Sequence, residues 1–307
     1  MKELGCESVR CDNAMYVFKV NGKIVGLAGV HVDDVLFCGD PILHRVVIKI
    51  IRKYMIGKFY IEDFCFTGWS LTQDQSGIEL TQRHFLEQVN LEKFERLRTI
   101  SGDKKEVLNE DLQALFRSLV GSIQWIIQVS RPDKAYYGVA LAMKLGKATI
   151  DDAKIGYKQL KSMLEDPQTI KYNTLQDSGE CHLRVFTDSS WGRLDNVETV
   201  NGNLVFLVDS QGNACLIDWQ SYKLAIPVSS PLAGEAVAAS DGYNKFPWIR
   251  SLAEDLDFGK LPATMMVDSR SLCDVVKATT SLKDKRAMVW ICALRRHCLG
   301  GLEDQVV

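Results

Sequence analysis

Residues 182–190 read HLRVFTDSS, residues 202–210 read GNLVFLVDS and residues 213–221 read NACLIDWQS. Each run is rich in β-branched and aromatic residues, and polar, glycine-bearing stretches separate them, so the region predicts three consecutive strands. Beyond them the pattern predicts a helix over roughly 231–256 and a strand at ATMMVDS (263–269). Helices follow at SLCDVVKAT (271–279) and DKRAMVWICALRRH (284–297). The order βββαβα plus a further helix predicts a mixed sheet with helices packed on it.

Working outward, NTLQDSGE (173–180) is polar and turn-rich and marks a domain boundary. The chain divides into 1–175 and 181–307. Its 307 residues also exceed what one hydrophobic core usually supports. In the first half, YVFKV and KIVGLAGVHV flank Asn21-Gly22, a strong short-range hairpin signal. The second run continues into Asp33-Asp34, and VLFCG follows, so a second hairpin carries both acids at its bend. Asp40-Pro41 opens a helix whose apolar spacing runs to Phe59. A strand pair is expected around Ser76-Gly77, with Thr81 capping a short helix to Val89, and residues 90–107 read as a loop. Three helices follow. The first is DLQALFRSLVGSIQWIIQVS, stopped by Arg131-Pro132-Asp133; the second is KAYYGVALAMKL; the third begins at Thr149 and ends before Pro167.

The bulk numbers are those of a globular protein: 46% hydrophobic, 25% charged, formal net charge −2. Residues 1–175 carry +2 and the remainder −4, so neither half has the overall basic excess of a strong non-specific nucleic-acid binder. No apolar run reaches the roughly 18 residues a membrane span needs. MKELGCESVRCDN lacks the apolar core of a secretory signal. The nine cysteines form no CxxC and no zinc spacing with histidine. These features imply an intracellular chain with reduced, mostly buried thiols. There is no GxSxG elbow and no GxxxxGK loop.

Three acids stand where chemistry is often placed. Asp188 and Asp268 each end an expected strand, and Glu235 lies early in an expected helix. Converging, they would form a hard-oxygen site of the kind Mg²⁺ prefers. Two such ions about 4 Å apart clamp the attacking and leaving oxygens of a phosphodiester. Taken singly, each acid has an ordinary explanation. Asp188 could bond Ser190, Asp268 could cap the next helix, and Glu235 could be a favourable first-turn charge.

The flanking residues decide between these readings. FTDSSWG (186–192), GNLVFLVDSQG (202–212), IDWQSYK (217–223) and VSSPLAGEAVA (228–238) come in that order, followed by WIRSLAEDL, VDSRSLCDVV and KDKRAMVWICALR. The set resembles the ribonuclease H domain of copia-type LTR retrotransposons. The resemblance implies that Asp188, Glu235 and Asp268 are metal-binding catalytic acids for Mg²⁺, with Mn²⁺ as an alternative. Gly234 stands where the family usually has Ala, and Pro247 interrupts the expected helix. Such domains continue into another strand and a last helix bearing a fourth acid. The reading expects 181–307 to lack both and assigns no role to Glu303 or Asp304.

VNGKIVGLAGVHVDDVLFCGD (20–40) resembles the palm hairpin of copia-type reverse transcriptases, with His31 where many members have Tyr. The segments 66–89, 115–140 and 151–164 continue the likeness. It implies that Asp33 and Asp34 derive from a nucleotidyl-transfer site. A two-metal polymerase also needs an acid from an earlier strand, which MKELGCESVRCDN does not offer, so polymerase activity is expected to be lost.

The expected fold is therefore α+β and α/β: a palm and connection remnant, then a ribonuclease H-like mixed sheet, in a Pol polyprotein piece truncated at both ends. The expected function is Mg²⁺-dependent cleavage of the RNA strand of RNA–DNA hybrids, ancestrally coupled to RNA-directed DNA synthesis. Nucleic acid is the partner and no membrane is involved. The alternative is a non-catalytic relic with at most weak nucleic-acid binding. Trp125, Trp219 and Trp248 are read as core residues, Lys223 as a solvated cation and His297 as a favourable charge near a helix end.

Overall fold

The protein is described by a computed structural model over residues 6–54, 57–176, 180–191, 198–278, 284–299 and 305–306. The first sheet is antiparallel, with β1 (Cys6–Val9), β2 (Asp12–Val20), β3 (Lys23–His31) and β4 (Asp34–Gly39) side by side in chain order. Asn21 and Gly22 both hold positive φ, 52° and 78°, as the tight turn of a two-residue hairpin requires. Helix α1 (Pro41–Tyr54) lies on this sheet and buries Val47 against Phe18 and Ala28. Its entry is fixed by the Asp40 carboxylate, which accepts from the Ile42 N–H at 2.7 Å. The helix ends at Tyr54, short of the apolar pattern that continues past Gly57, a residue that costs about 1 kcal/mol in a helix interior.

The second sheet has β5 (Asp63–Phe66), β6 (Trp69–Asp74), β7 (Gly77–Thr81) and β8 (Ile170–Asn173) in that order. The sequence suggested one strand pair here. The additional turn falls at Thr67-Gly68, with φ of 49° and 86°, and Thr is a residue rarely held in that region. Strand β8 pairs with β7 only after five α-helices have intervened, which no local pattern encodes. Thr81 ends β7 rather than capping a helix; α2 (Arg83–Gln88) begins after Gln82, which makes no side-chain cap. The stretch read as a loop contains a 3₁₀ turn, Leu91–Phe94, and α3 (Glu95–Thr99). Asn90 accepts from the Glu92 N–H at 2.9 Å, and Phe94 and Leu97 are buried. Two anchors suffice for so short an element, too few to show as periodicity.

Helices α4 (Glu110–Val129), α5 (Ala135–Ala142) and α6 (Ile150–Glu165) follow. Thr149 and Asp152 form a capping box at the start of α6. The break after α4 is held by Arg131, whose side chain is 3% exposed. Its guanidinium donates twice to the Asp133 carboxylate and once to the Asp166 carbonyl, each at 2.8 Å, a fork that only Arg supplies.

The third sheet contains β9 (His182–Ser190), β10 (Val200–Val208), β11 (Ala214–Lys223), β12 (Ala263–Val267) and β13 (Gln305–Val306) in the order β11-β10-β9-β12-β13. β9, β10 and β11 are antiparallel neighbours, whereas β12 runs parallel to β9. Helices α7 (Pro231–Tyr243), α8 (Phe246–Asp255), α9 (Arg270–Lys277) and α10 (Lys285–Leu299) complete this half. The mixed sheet with helices is the fold class the sequence predicts. Two details differ. The single helix expected over 231–256 is two, because Pro247 sits in the first turn of α8, where a missing N–H is tolerated. A further strand is also begun: Gln305–Val306 pairs in parallel with Thr264 and Met265, where the sequence reading expected none.

Among the described residues the halves are joined where β8 and α5 pack on β11, and at Arg10. The Trp219 indole N–H donates to the Ile127 carbonyl at 3.0 Å, beside the buried cluster of Leu80, Val129 and Ile170. Arg10 pairs with Glu254 and Asp255 of α8. Among the described cysteines only Cys181 and Cys215 are fully buried, so the expectation of mostly buried thiols fails. Among the described residues no helix is long and apolar enough to cross a membrane.

Candidate metal centre

Asp188 and Asp268 meet because their strands run side by side in one direction. Val267 of β12 lies opposite Thr187 of β9, and the next residue along each chain is the acid. Glu235 comes from α7, which approaches β9 through two glycines. A Cβ on Gly242 would fall 2.7 Å from Thr187 Cγ2, and one on Gly234 would fall 2.6 Å from Ser189 Oγ. With no helix side chain at these points, α7 comes close enough to β9 for Glu235 to reach the strand ends. One carboxylate oxygen from each of Asp188, Glu235 and Asp268 lies within 4.8 Å of the other two.

The everyday explanations for these acids do not hold. Asp188 accepts from the backbone N–H of Ser189 at 2.8 Å, not from Ser190. The cap of α9 is Ser269, which accepts from the Leu272 N–H, and not Asp268. Glu235 lies beyond the first turn of α7, which holds no acid. Its Oε2 is buried and has no hydrogen-bond partner. Burial raises its pKa to about 7, and the charges of Asp188 and then Asp268 push the same way. Three hard oxygen donors with an orphaned buried oxygen among them fit a divalent cation such as Mg²⁺, which would offset their repulsion.

Asp188 and Asp268 face an open groove of about 330 Å³ whose other walls are Ser189, Ser190, Trp191 and Pro231. Trp191 is anchored by its indole N–H to the Val228 carbonyl at 3.3 Å. Behind the acids, the Ser189 hydroxyl donates to Asn201 Oδ1 at 2.9 Å, Asn201 lies opposite Tyr222 in the sheet, and the Tyr222 hydroxyl bonds Asp241 of α7. The groove walls and this polar support escaped the sequence reading. Ser189, Ser190 and Trp191 were signalled by adjacency to Asp188 in FTDSSWG, whereas Pro231, Asn201, Tyr222 and Asp241 come from other segments.

Asp33 and Asp34 lie at the bend of the β3–β4 hairpin, both exposed, with Val32 in the left-handed region at φ 54°. Among the described residues no third metal-binding side chain joins them; the single such cluster is Asp188, Glu235 and Asp268. Trp248, expected in the core, is 51% exposed, and Trp125 is 37% exposed. α8 buries Phe246, Ile249 and Ala253 instead and turns Trp248 outward. Lys223 is exposed, as expected of a solvated cation, and pairs with Glu198 at 2.5 Å. The His297 side chain, Glu303 and Asp304 lie outside the described residues.

No family model and no curated protein matches the chain. Solved structures do resemble it. RNase H1 from the halophilic archaeon Halobacterium salinarum NRC-1 aligns with a TM-score of 0.29 and 16% identity, over 41% of this chain and 82% of that one. The foamy viral protease-reverse transcriptase in complex with RNA/DNA hybrid aligns with a TM-score of 0.48 and 13% identity, over 94% of this chain and 35% of that one. The same viral protein in complex with dsDNA gives 0.48 and 15%, over 94% and 55%. This chain thus spans about a third to a half of the viral chains. At these identities the likeness concerns fold only.

Proposed function

We propose that the C-terminal half is a Mg²⁺-dependent endonuclease that cleaves the RNA strand of RNA–DNA hybrids. We read the chain as part of a copia-type retrotransposon Pol protein acting inside the cell. The observation that carries this reading is the gathering of Asp188, Glu235 and Asp268 within 4.8 Å, with Glu235 Oε2 buried and unpartnered. Structural carboxylates are normally satisfied by donors when buried.

In this reading the three carboxylates would hold the cation, with Mn²⁺ as an alternative, and it would supply the Lewis acidity for phosphodiester hydrolysis. Glu235, fixed on α7, sets the inner side of the site. Asp188 and Asp268 line the groove and would hold the cation on the side open to a bound strand. Trp191 and Pro231 wall the groove beside the acids. Contacts to the 2′-hydroxyls of one strand would select hybrid over DNA.

The test is a labelled RNA–DNA hybrid incubated with Mg²⁺ and the parent, Asp188→Asn or Asp268→Asn protein. Cleavage by the parent alone supports the assignment. A cooperatively melting parent that leaves the hybrid intact, and gains no thermal stability from Mg²⁺, sinks it in favour of a non-catalytic relic.

A further inference from the structure

We infer that the outward face of α1 is a docking surface for a nucleic-acid backbone, separate from the metal centre. Among the described residues its exposed side chains include Ile42, Arg45, Val46, Lys49, Arg52 and Lys53, at spacings of three and four residues, so they form one stripe along the helix. Residues 41–54 contain no Asp or Glu. Asp40, just before them, is engaged with the Ile42 N–H. Among the described residues none of the four cations is in an ion pair, and Arg52 lies over the Phe59 ring at 5.2 Å. Solvated helix faces usually mix both signs of charge. This one carries a single sign, interleaved with Ile42 and Val46, which are 71% and 46% exposed.

The chemistry selects a polyanion. At about 5.4 Å per turn the stripe extends over several phosphates of a duplex. An anionic membrane fits less well. A helix lying in a lipid interface turns its apolar face to the lipid, and α1 spends that face on its own sheet, where Val47 and Leu43 pack with Phe18. The near-neutral overall charge is no obstacle, because binding of this kind is local. The choice of nucleic acid among polyanions rests on the nuclease reading above.

The experiment measures fluorescence anisotropy of a short fluorescein-labelled RNA–DNA duplex in EDTA, so that cleavage does not intervene. Three proteins are compared: the parent, a stripe variant (Arg45→Gln, Lys49→Gln, Arg52→Gln, Lys53→Gln), and a control of equal charge (Lys104→Gln, Lys105→Gln, Lys147→Gln, Lys158→Gln). Circular dichroism melts verify that each is folded. The stripe variant is expected to lose affinity by about 100-fold at low salt, with its log–log salt slope shallower by about 3, while the control changes by less than about threefold. Equal losses in both variants, or none in either, overturn the inference. So does stripe-dependent capture by phosphatidylserine–phosphatidylcholine vesicles with duplex binding unchanged. The Asp188→Asn protein separates this inference from the nuclease reading. Stripe-dependent binding without cleavage by the parent leaves the docking surface standing and the nuclease fallen, and cleavage without stripe-dependent binding does the reverse.

Discussion

A Cβ on Gly234 would lie 2.6 Å from the hydroxyl oxygen of Ser189, and that hydroxyl is itself held by Asn201. The glycine immediately before Glu235 therefore records a packing constraint between α7 and β9. A Cβ there would force the Ser hydroxyl to rotate and lose its bond to Asn201, or strand and helix to move apart.

Gly234→Ala is accordingly expected to destabilise the protein despite Ala's better helix propensity. Overpacking costs about 1–3 kcal/mol and the propensity gain is about 1 kcal/mol. Combining it with Ser189→Ala relieves the contact, because the Ser189 Cβ stays 3.4 Å away. Chemical denaturation of both singles and the double should give a double mutant less destabilised than the sum of the singles. Simple additivity would show that the contact does not matter.

The pH dependence of the metal-free protein should carry the mark of Glu235. Its folded pKa, about 7, is raised above the ordinary 4.5, so the folded state keeps a proton that the unfolded chain has released. The resulting destabilisation is absent below about pH 4.5, grows up to about pH 7, and is complete above it. After allowance for partial solvent screening it amounts to about 1–2 kcal/mol. Glu235→Gln removes this dependence, and thermal melts of the two proteins in EDTA should diverge across that window. Parallel curves would contradict the geometry.

Asp209 should give the opposite pH behaviour. Its carboxylate accepts from the N–H groups of Gln176, Gln211 and Asn213 and from the Asn213 amide, which lowers its pKa to about 2. Its contribution is fully present above about pH 4 and lost as pH falls toward 2. Asp209→Ala should lower the melting temperature at neutral pH and flatten the acid limb of the melting profile. It frees the segment after β8 as well as the β10–β11 turn, so proteolysis near Gln176 should also quicken.

No templated synthesis is expected from this chain. Asp33 and Asp34 stand exposed at a hairpin bend, and no third carboxylate accompanies them among the described residues. Two-metal transfer needs ligands on both sides of the reacting phosphate. Primer extension with Mg²⁺ or Mn²⁺ is the check, and clear elongation would overturn this expectation.

How much was legible in the sequence follows the range of the interaction concerned. Asn21-Gly22 specifies its turn through the φ values those two residues tolerate, and Thr149 announces α6 through a bond three residues away. The break at Pro247 was visible for the same local reason. By contrast, α3 depends on burying Phe94 and Leu97 beneath helices that come later in the chain, and β8 depends on finding β7. Trp248 was misplaced because an apolar side chain in a helix does not say which face that helix buries.

The sequence by itself indicated the succession of three strands, helix, strand and helices in the C-terminal half and picked out Asp188, Glu235 and Asp268 as acids worth examining, since side-chain chemistry and short-range periodicity are written residue by residue. Only the tertiary structure decided that these acids meet. Their meeting depends on β12 aligning parallel with β9, Val267 opposite Thr187, and on the closeness with which Gly234 and Gly242 let α7 approach. Register and interaxial distance are properties of packed pairs, fixed when surfaces exclude water together, and no single segment carries them.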